Sequence, residues 1–245
     1  MNSDNQTTRF ADISLRQAAI IGGFALLIIS VLAPVGYYGL IQNLIVPGDA
    51  AATVSKITAS EGRFRIGMCC LLINAVLDLV VAWALYIVLK PVNKSIALLS
   101  AWLRVAYTVV LVVALGNFVN VLQLLRGTDY LTAFEPTQLH AQVMLGIDAY
   151  ENVWNLGYVF FGLHLIILGS VMFRSGYFPK FLGILVNIAG FGYLIDSLGI
   201  VLFRNYSLNI AVYTFIGEPL LFIWLLMRGF RGFKGFDLKS EEGEL

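Results

Sequence analysis

The sequence predicts an all-α integral membrane bundle, with six transmembrane helices and two further helices on its outer face. Three observations predict it. Of 245 residues, 59% are hydrophobic and only 13% charged, and the mean hydropathy of +0.82 is far above that of a soluble domain. Apolar runs able to cross roughly 30 Å of hydrocarbon, about 20 residues each, occur six times along the chain. Lysine and arginine gather at the ends of those runs rather than on one face.

The elements follow in order. Residues 1–17, MNSDNQTTRFADISLRQ, read as a polar cytoplasmic tail, and the run behind it is too long and lacks a small-residue cleavage site, so it reads as a retained first span rather than a signal peptide. The spans are placed at Ala18 to Leu40, Phe64 to Leu89, Ile96 to Leu125, Val153 to Phe173, Phe181 to Phe203 and Ile210 to Met227. The transmembrane domain is therefore 18–228, and 229–245 is a cytoplasmic tail. Pro34 and Pro219 should kink the first and sixth spans, because proline lacks a backbone donor and its ring crowds the preceding turn. Between spans one and two, Pro47-Gly48 makes a turn, and Ala51, Val54 and Ile57 at helical spacing give a short outer-face helix. Between spans three and four a second such helix starts at Pro136, with Leu139, Val143, Ile147 and Tyr150 in one stripe. In the final tail Phe230, Phe233 and Phe236 alternate with Arg231 and Lys234, the pattern of an interfacial anchor.

Six spans put both ends on one side. Ten basic residues lie on that side (Arg9, Arg16, Lys90, Lys94, Arg174, Lys180, Arg228, Arg231, Lys234, Lys239) and five on the other (Lys56, Arg63, Arg65, Arg126, Arg204). By the positive-inside rule both termini are cytoplasmic. A net charge of +1 offers no field for nucleic acid, so the partner is the lipid bilayer. The neighbours Cys69 and Cys70 point about 100° apart on one helix and form neither a disulfide framework nor a metal knuckle.

The chemically informative residues are ionisable ones inside the apolar spans. Asp78 lies twelve residues before Lys90, and Arg104 ten after Lys94. At 1.5 Å per residue both sit about 15 to 18 Å above one short basic loop. A charge at that depth costs about 2.5 to 3.5 kcal/mol even on the lenient insertion scale, so such groups face the bundle interior and find partners. An Asp78–Arg104 contact is expected. His164 is ten residues before Arg174 and Glu218 ten before Arg228, which places them about 15 Å from the same side. Four helices thus each contribute one ionisable residue to one layer, either a ligand, proton or ion site or an ion network that fixes helix register.

A second polar group lies toward the outer face. Glu61 and Arg65 make an i, i+4 helix pair. Asp196 sits about 24 Å above Lys180, on a face shared with Gly192 and Gly199 where a neighbouring helix can come close. Asp148, Glu151, Asn155, Tyr158 and Gly162 run along one stripe of span four and read as the wall of a water-filled vestibule or as a solvated helix end. There is no HExxH, GxSxG or GxxxxGK[ST] motif. With His140 and His164 the only histidines, the sequence does not point to a two-histidine haem or a multi-histidine metal site. A mixed site of His164 with Asp78, Glu218 or Asp196 is the metal arrangement left open. The sequence leaves any cofactor unknown.

Several segments together resemble a bacterial membrane-protein family known only as domain of unknown function 4386. They are LIVPGDAAAT (Leu44 to Thr53), SEGRFRIG (Ser60 to Gly67), LKPVNKSIALL (Leu89 to Leu99), GYVFFGLHLIILG (Gly157 to Gly169) and RSGYFPKFLGILVNIAGFGYLIDS (Arg174 to Ser197). The resemblance spans nearly the whole chain. It implies a polytopic helical protein of a bacterial plasma membrane and brings no activity or catalytic residues with it.

The functional expectation is a protein that binds or moves a small solute, ion or lipid through an outer vestibule floored by Asp78, Arg104, His164 and Glu218. Asp196 and Asn155 are the further ligand candidates. Within the layer, His164 is the group able to change charge near neutral pH. The rivals are an intramembrane lipid-modifying enzyme using His164 or a carboxylate as general base, and a structural or regulatory subunit without a ligand. A continuous cavity from the outer face to His164 favours binding or transport, a dry, filled centre favours structure, and bound metal or a nucleophile within hydrogen-bond reach of His164 favours catalysis.

Overall fold

The computed structural model describes residues 13–127 and 133–232, and all regular structure among them is helical. Six helices are long and apolar enough to cross a membrane, which makes the chain a multi-pass membrane protein. Helix α1 (Leu15–Pro34) continues as a π-helical segment, Val35–Ile41, and a short 3-10 turn, Gln42–Leu44. Then come α2 (Ala50–Ala59), α3 (Glu61–Leu89), α4 (Lys94–Leu125), α5 (Pro136–Arg174), α6 (Lys180–Leu202), α7 (Ala211–Thr214) and α8 (Gly217–Arg231).

Helix starts follow the capping chemistry. Ser14 and Gln17 form a reciprocal capping box on α1, Asp49 caps α2 through the Ala52 amide at 2.8 Å, and Asn93 caps α4 through the Ile96 amide at 3.0 Å. The Pro47-Gly48 turn is present, with Gly48 at φ +77° and the Asp49 amide donating to the Val46 carbonyl at 3.1 Å.

Both prolines act at the expected places. Pro34 has no N–H to return to the Ser30 carbonyl, and the ladder beyond it widens to i→i+5, as in the Gln42 to Tyr37 bond. Pro219 cannot donate to the Phe215 carbonyl, which instead accepts from the Glu218 amide at 2.9 Å. The sixth span is therefore broken between α7 and α8 rather than bent.

One expectation is corrected. The helix starting at Pro136 is not a separate outer-face element, because it runs on without interruption through 39 residues as the first turns of span four. No proline follows Pro136 to stop it, and its stripe is held by packing: Val143, Ile147 and Tyr150 are buried together with Ile57 of α2 and Phe118 of α4. Of the two expected outer-face helices, α2 (Ala50–Ala59) is the one that forms a separate element. Arg9, Phe233, Lys234, Phe236 and Lys239, on which much of the tail reading rested, lie outside the described residues.

The spans close a ring in chain order: α1 on α3, α3 on α4, α4 on α5, α5 on α6, α6 on α8, and α8 back on α1. Glycines set the tightest seam. Gly162 and Gly169 of α5 face Gly190 and Gly183 of α6, and a Cβ added at Gly162 would lie 2.7 Å from the Gly190 carbonyl oxygen. Such backbone proximity is how helices associate where no hydrophobic effect drives them together. Inside the ring are two apolar clusters. One, around Phe64, Phe118, Ile147 and Tyr150, fills the half near α2. The other, around Leu85, Leu165, Met172 and Leu225, fills the half near the Lys90–Lys94 turn. Trp154 touches both.

Candidate functional site

Asp78, Arg104 and His164 meet inside the ring. They are 2%, 3% and 1% exposed, so each polar group must be satisfied within the protein. Arg104 supplies two donors to one oxygen of Asp78: Nε at 3.0 Å and an Nη at 2.5 Å, both to Oδ1. The other oxygen, Oδ2, accepts from the Asn74 side-chain amide at 3.3 Å, one helical turn before Asp78. The guanidinium lies 5.4 Å from the centroid of the Phe161 ring, within cation–π range. Thr108 returns its hydroxyl to the Arg104 carbonyl at 2.9 Å.

The remaining Arg104 nitrogen, Nη1, stands 3.3 Å from Nε2 of His164. A guanidinium only donates, so the hydrogen-bond network assigns Nε2 as an acceptor and puts the ring proton on Nδ1. Nδ1 has a matching acceptor, the Ser100 carbonyl oxygen at 2.8 Å. Ser100 Oγ lies 2.9 Å from the same nitrogen and 3.4 Å from the His164 carbonyl. The chain Asn74, Asp78, Arg104, His164, Ser100 thus crosses three helices with each link a hydrogen bond.

Above this chain is a cavity of about 340 Å³ to which α1, α3, α4, α5, α6 and α8 all contribute residues. Asn74, Asp78 and Arg104 form its floor. Tyr107, Trp154, Tyr158, Phe161 and Tyr193 form aromatic walls, and Glu218 enters from α8 on the far side. The walls are themselves ordered: Trp154 Nε1 donates to the Tyr107 hydroxyl at 3.1 Å, and the rings of Tyr158 and Tyr193 lie 5.0 Å apart. Glu218 has no ion-pair partner among the described residues, and its Oε1 is buried without a hydrogen bond. Asn74 Oδ1 is left in the same condition. His164 does not line the cavity; it sits behind Arg104.

The chain matches the family described as Domain of unknown function (DUF4386) over residues 21–229. It belongs to that family. The match contains the whole polar chain, every wall of the cavity and Glu218. An uncharacterized protein of Archaeoglobus fulgidus is 36% identical over 154 residues, covering 63% of this chain and 78% of that protein. No solved structure matches.

Within this DUF4386 fold the other expected site residues go elsewhere. Asp196 is a cap. Its Oδ1 accepts from the Tyr206 hydroxyl at 2.6 Å and the Ile210 amide at 2.9 Å, and its Oδ2 from the Ala211 amide at 2.7 Å. The bond to Asp196, with some burial, pushes the Tyr206 hydroxyl up to about 12. The close neighbour of Gly192 is Thr214, in the first turn of the sixth span, and that of Gly199 is Tyr206, in the loop that precedes it. The main-chain carbonyl of Asn155 accepts from the Ser197 hydroxyl of α6 at 2.6 Å, and Asn155 does not line the cavity. The stripe through Asp148, Glu151, Asn155, Tyr158 and Gly162 is therefore not one vestibule wall: Glu151 takes the Tyr37 hydroxyl, Gly162 packs on Gly190, and only Tyr158 reaches the cavity. Among the described residues no group of three His, Cys, Asp or Glu side chains is placed to hold a metal ion.

Sequence reasoning passed over Ser100, Asn74 and, Tyr158 apart, the aromatic walls. A signal existed for the walls: Trp154, Tyr158 and Phe161 recur at helical spacing on the span that carries His164, and Tyr107 lies one turn beyond Arg104.

Proposed function

We propose that the protein is a membrane-embedded binding protein whose ligand occupies the cavity above Asp78 and Arg104. The observation that carries this reading is Glu218: its carboxylate meets the Tyr193 hydroxyl but its Oε1 is buried without a hydrogen bond, a cost in free energy unless something else satisfies it, and here it borders a space of about 340 Å³. That volume lies at the lower end of the range for small-molecule sites, roughly 300 to 1,000 Å³. A small solute, an ion or part of a lipid are the occupants considered, with movement across the membrane as the extension of binding. The protein is read as a bacterial plasma-membrane protein with both termini in the cytoplasm, an orientation supported by the ten basic residues on one side against five on the other.

The enzyme reading has one observation in its favour, Ser100 Oγ at 2.9 Å from His164 Nδ1. The assigned tautomer weakens it. A general base must offer the serine a lone pair, whereas Nδ1 carries its proton toward the Ser100 carbonyl and Nε2 faces Arg104. Neither Ser100 nor His164 lines the cavity.

Ala33 lines the cavity from α1, and replacing it with tryptophan would fill the space without touching the polar chain. Native mass spectrometry of protein released from neutral detergent should show a bound small molecule or lipid in the parent protein and its loss in Ala33→Trp, with helicity and thermal midpoint retained. Identical bound species in both proteins would overturn the reading.

A further inference from the structure

The balance of charge and hydrogen-bond capacity in the cavity restricts what can fill it. Among the described residues Arg104 is the one cation on its lining, and Asp78 already takes that charge in a buried pair. Glu218 is left as the uncompensated charge, so the cavity carries a net charge of −1 when both carboxylates are ionised. The unused polar side-chain atoms on the lining are acceptors: Glu218 Oε1 and Asn74 Oδ1. An anion would meet no free cation there. A bare divalent ion would want six or more oxygen ligands, and the walls are mostly aromatic rings. Aromatic faces beside a single carboxylate suit an organic cation, whose diffuse charge is attracted by the ring quadrupoles.

The mouth adds a second restriction. On one side of the cavity α1 and α8 are in tight contact: Gly23 meets Leu226, and the rings of Phe24 and Phe230 are 6.3 Å apart. Two turns further along α1, Ser30, Pro34 and Tyr38 line the cavity and are exposed, as is Phe215 opposite them before α8. The opening is thus a slot between α1 and α8. Ser30 lies near the middle of the 30-residue first span, so the slot starts deep in the hydrocarbon. Its borders are exposed apolar side chains, among them Val31, Val35, Ile216 and Ile223.

We infer that the cavity takes the ammonium head of a single-charged amphiphilic cation, an alkylammonium, entering from the bilayer through the α1–α8 slot. This deepens the binding reading above and rests on it. The head sits among Tyr107, Trp154, Tyr158 and Tyr193 with Glu218 as counterion, and the alkyl chain leaves past Ser30 and Phe215 into lipid. A zwitterionic phospholipid head fits less well, because its phosphate would need a cation that Asp78 has already engaged.

The test is calorimetric titration of the full-length protein in neutral maltoside micelles, with protein-free micelles subtracted. Three single-chain six-carbon probes differ in the head alone, namely hexyltrimethylammonium, the net-neutral hexyldimethylamine oxide and hexyl sulfate, and the two-chain zwitterion dihexanoylphosphatidylcholine tests the phospholipid head. The expected result is saturable one-to-one binding of the ammonium probe only, weakened about tenfold in Glu218→Gln and restored in part by Glu218→Asp. Equal binding of the amine oxide or the phosphatidylcholine, or an ammonium affinity unchanged in Glu218→Gln, would overturn the cation inference while leaving a binding cavity. Preference for hexyl sulfate would overturn the sign of the site. The probe series on the parent protein decides the matter even if a variant does not fold. If no probe binds but Ala33→Trp still displaces a native species, the cation inference falls alone; if Ala33→Trp also changes nothing, both readings fall.

Discussion

Arg104 places two of its nitrogens on one oxygen of Asp78 and leaves the second oxygen to Asn74. Two consequences follow from this asymmetric clasp. The carboxylate is satisfied on both oxygens by groups from α3 and α4 alone, and the third Arg104 nitrogen is free to reach α5 through His164.

Asp78→Asn should be strongly destabilising. Removing one partner of a buried pair leaves an uncompensated charge, a loss of about 3 to 5 kcal/mol. Replacing both, as in Asp78→Leu with Arg104→Met, should recover part of that loss. Denaturant unfolding of the two single and one double variants in mixed micelles measures the coupling. A double variant no more stable than the worse single variant would contradict the clasp.

Ser100→Ala should cost little, about 1 kcal/mol for one neutral hydrogen bond, since His164 Nδ1 keeps the Ser100 main-chain carbonyl as its acceptor. The parent protein should also resist labelling at Ser100 by a fluorophosphonate, a reagent that reports activated serines. Stoichiometric labelling at this position would favour the enzyme reading.

The α5–α6 seam makes a steric prediction. Gly162→Leu places a side chain where even a Cβ would stand 2.7 Å from the Gly190 oxygen and 3.0 Å from the Leu194 amide nitrogen. Because the obstruction is backbone, the helices must separate, and a loss of about 3 kcal/mol or more is expected. Gly116→Leu is the control, as a Cβ there meets nothing within 4 Å. Thermal unfolding midpoints of the two variants should differ clearly.

Asp196→Ala tests a cap rather than a ligand. Three donors lose their acceptor, and the expected loss is about 0.5 to 2 kcal/mol, typical of a helix cap. Hydrogen exchange should accelerate at the Ile210 and Ala211 amides, while binding of the ammonium probe stays within about twofold of the parent protein, below about 0.5 kcal/mol.

Much of this was legible in the residues. Asp78, Arg104, His164 and Glu218 stand out because an ionisable group in hydrocarbon carries a cost that neighbouring residues do not hide, and counting rises from the basic loops sets their depth. Pro34, Pro47-Gly48, Asn93 and Pro136 mark their turns and helix ends by chemistry local to a few residues. The extent of α5 was harder, because a polar patch at Asp148 to Asn155 looks like a boundary in hydropathy but does not interrupt a backbone ladder.

What the sequence alone determined is therefore the span count and the depth of the ionisable layer, since both depend on distance along a helix, a quantity set by residue number. What only the tertiary structure decided is rotation and partnership. Asp196 caps a loop, the Asn155 main-chain carbonyl takes the Ser197 hydroxyl, and Arg104 divides its nitrogens between Asp78 and His164. The Glu218 Oε1 atom alone in the layer stays unpartnered beside a cavity. The azimuth of each helix is fixed by side-chain packing and glycine contacts with its neighbours, and those contacts join residues too far apart in the chain for local spacing to reveal.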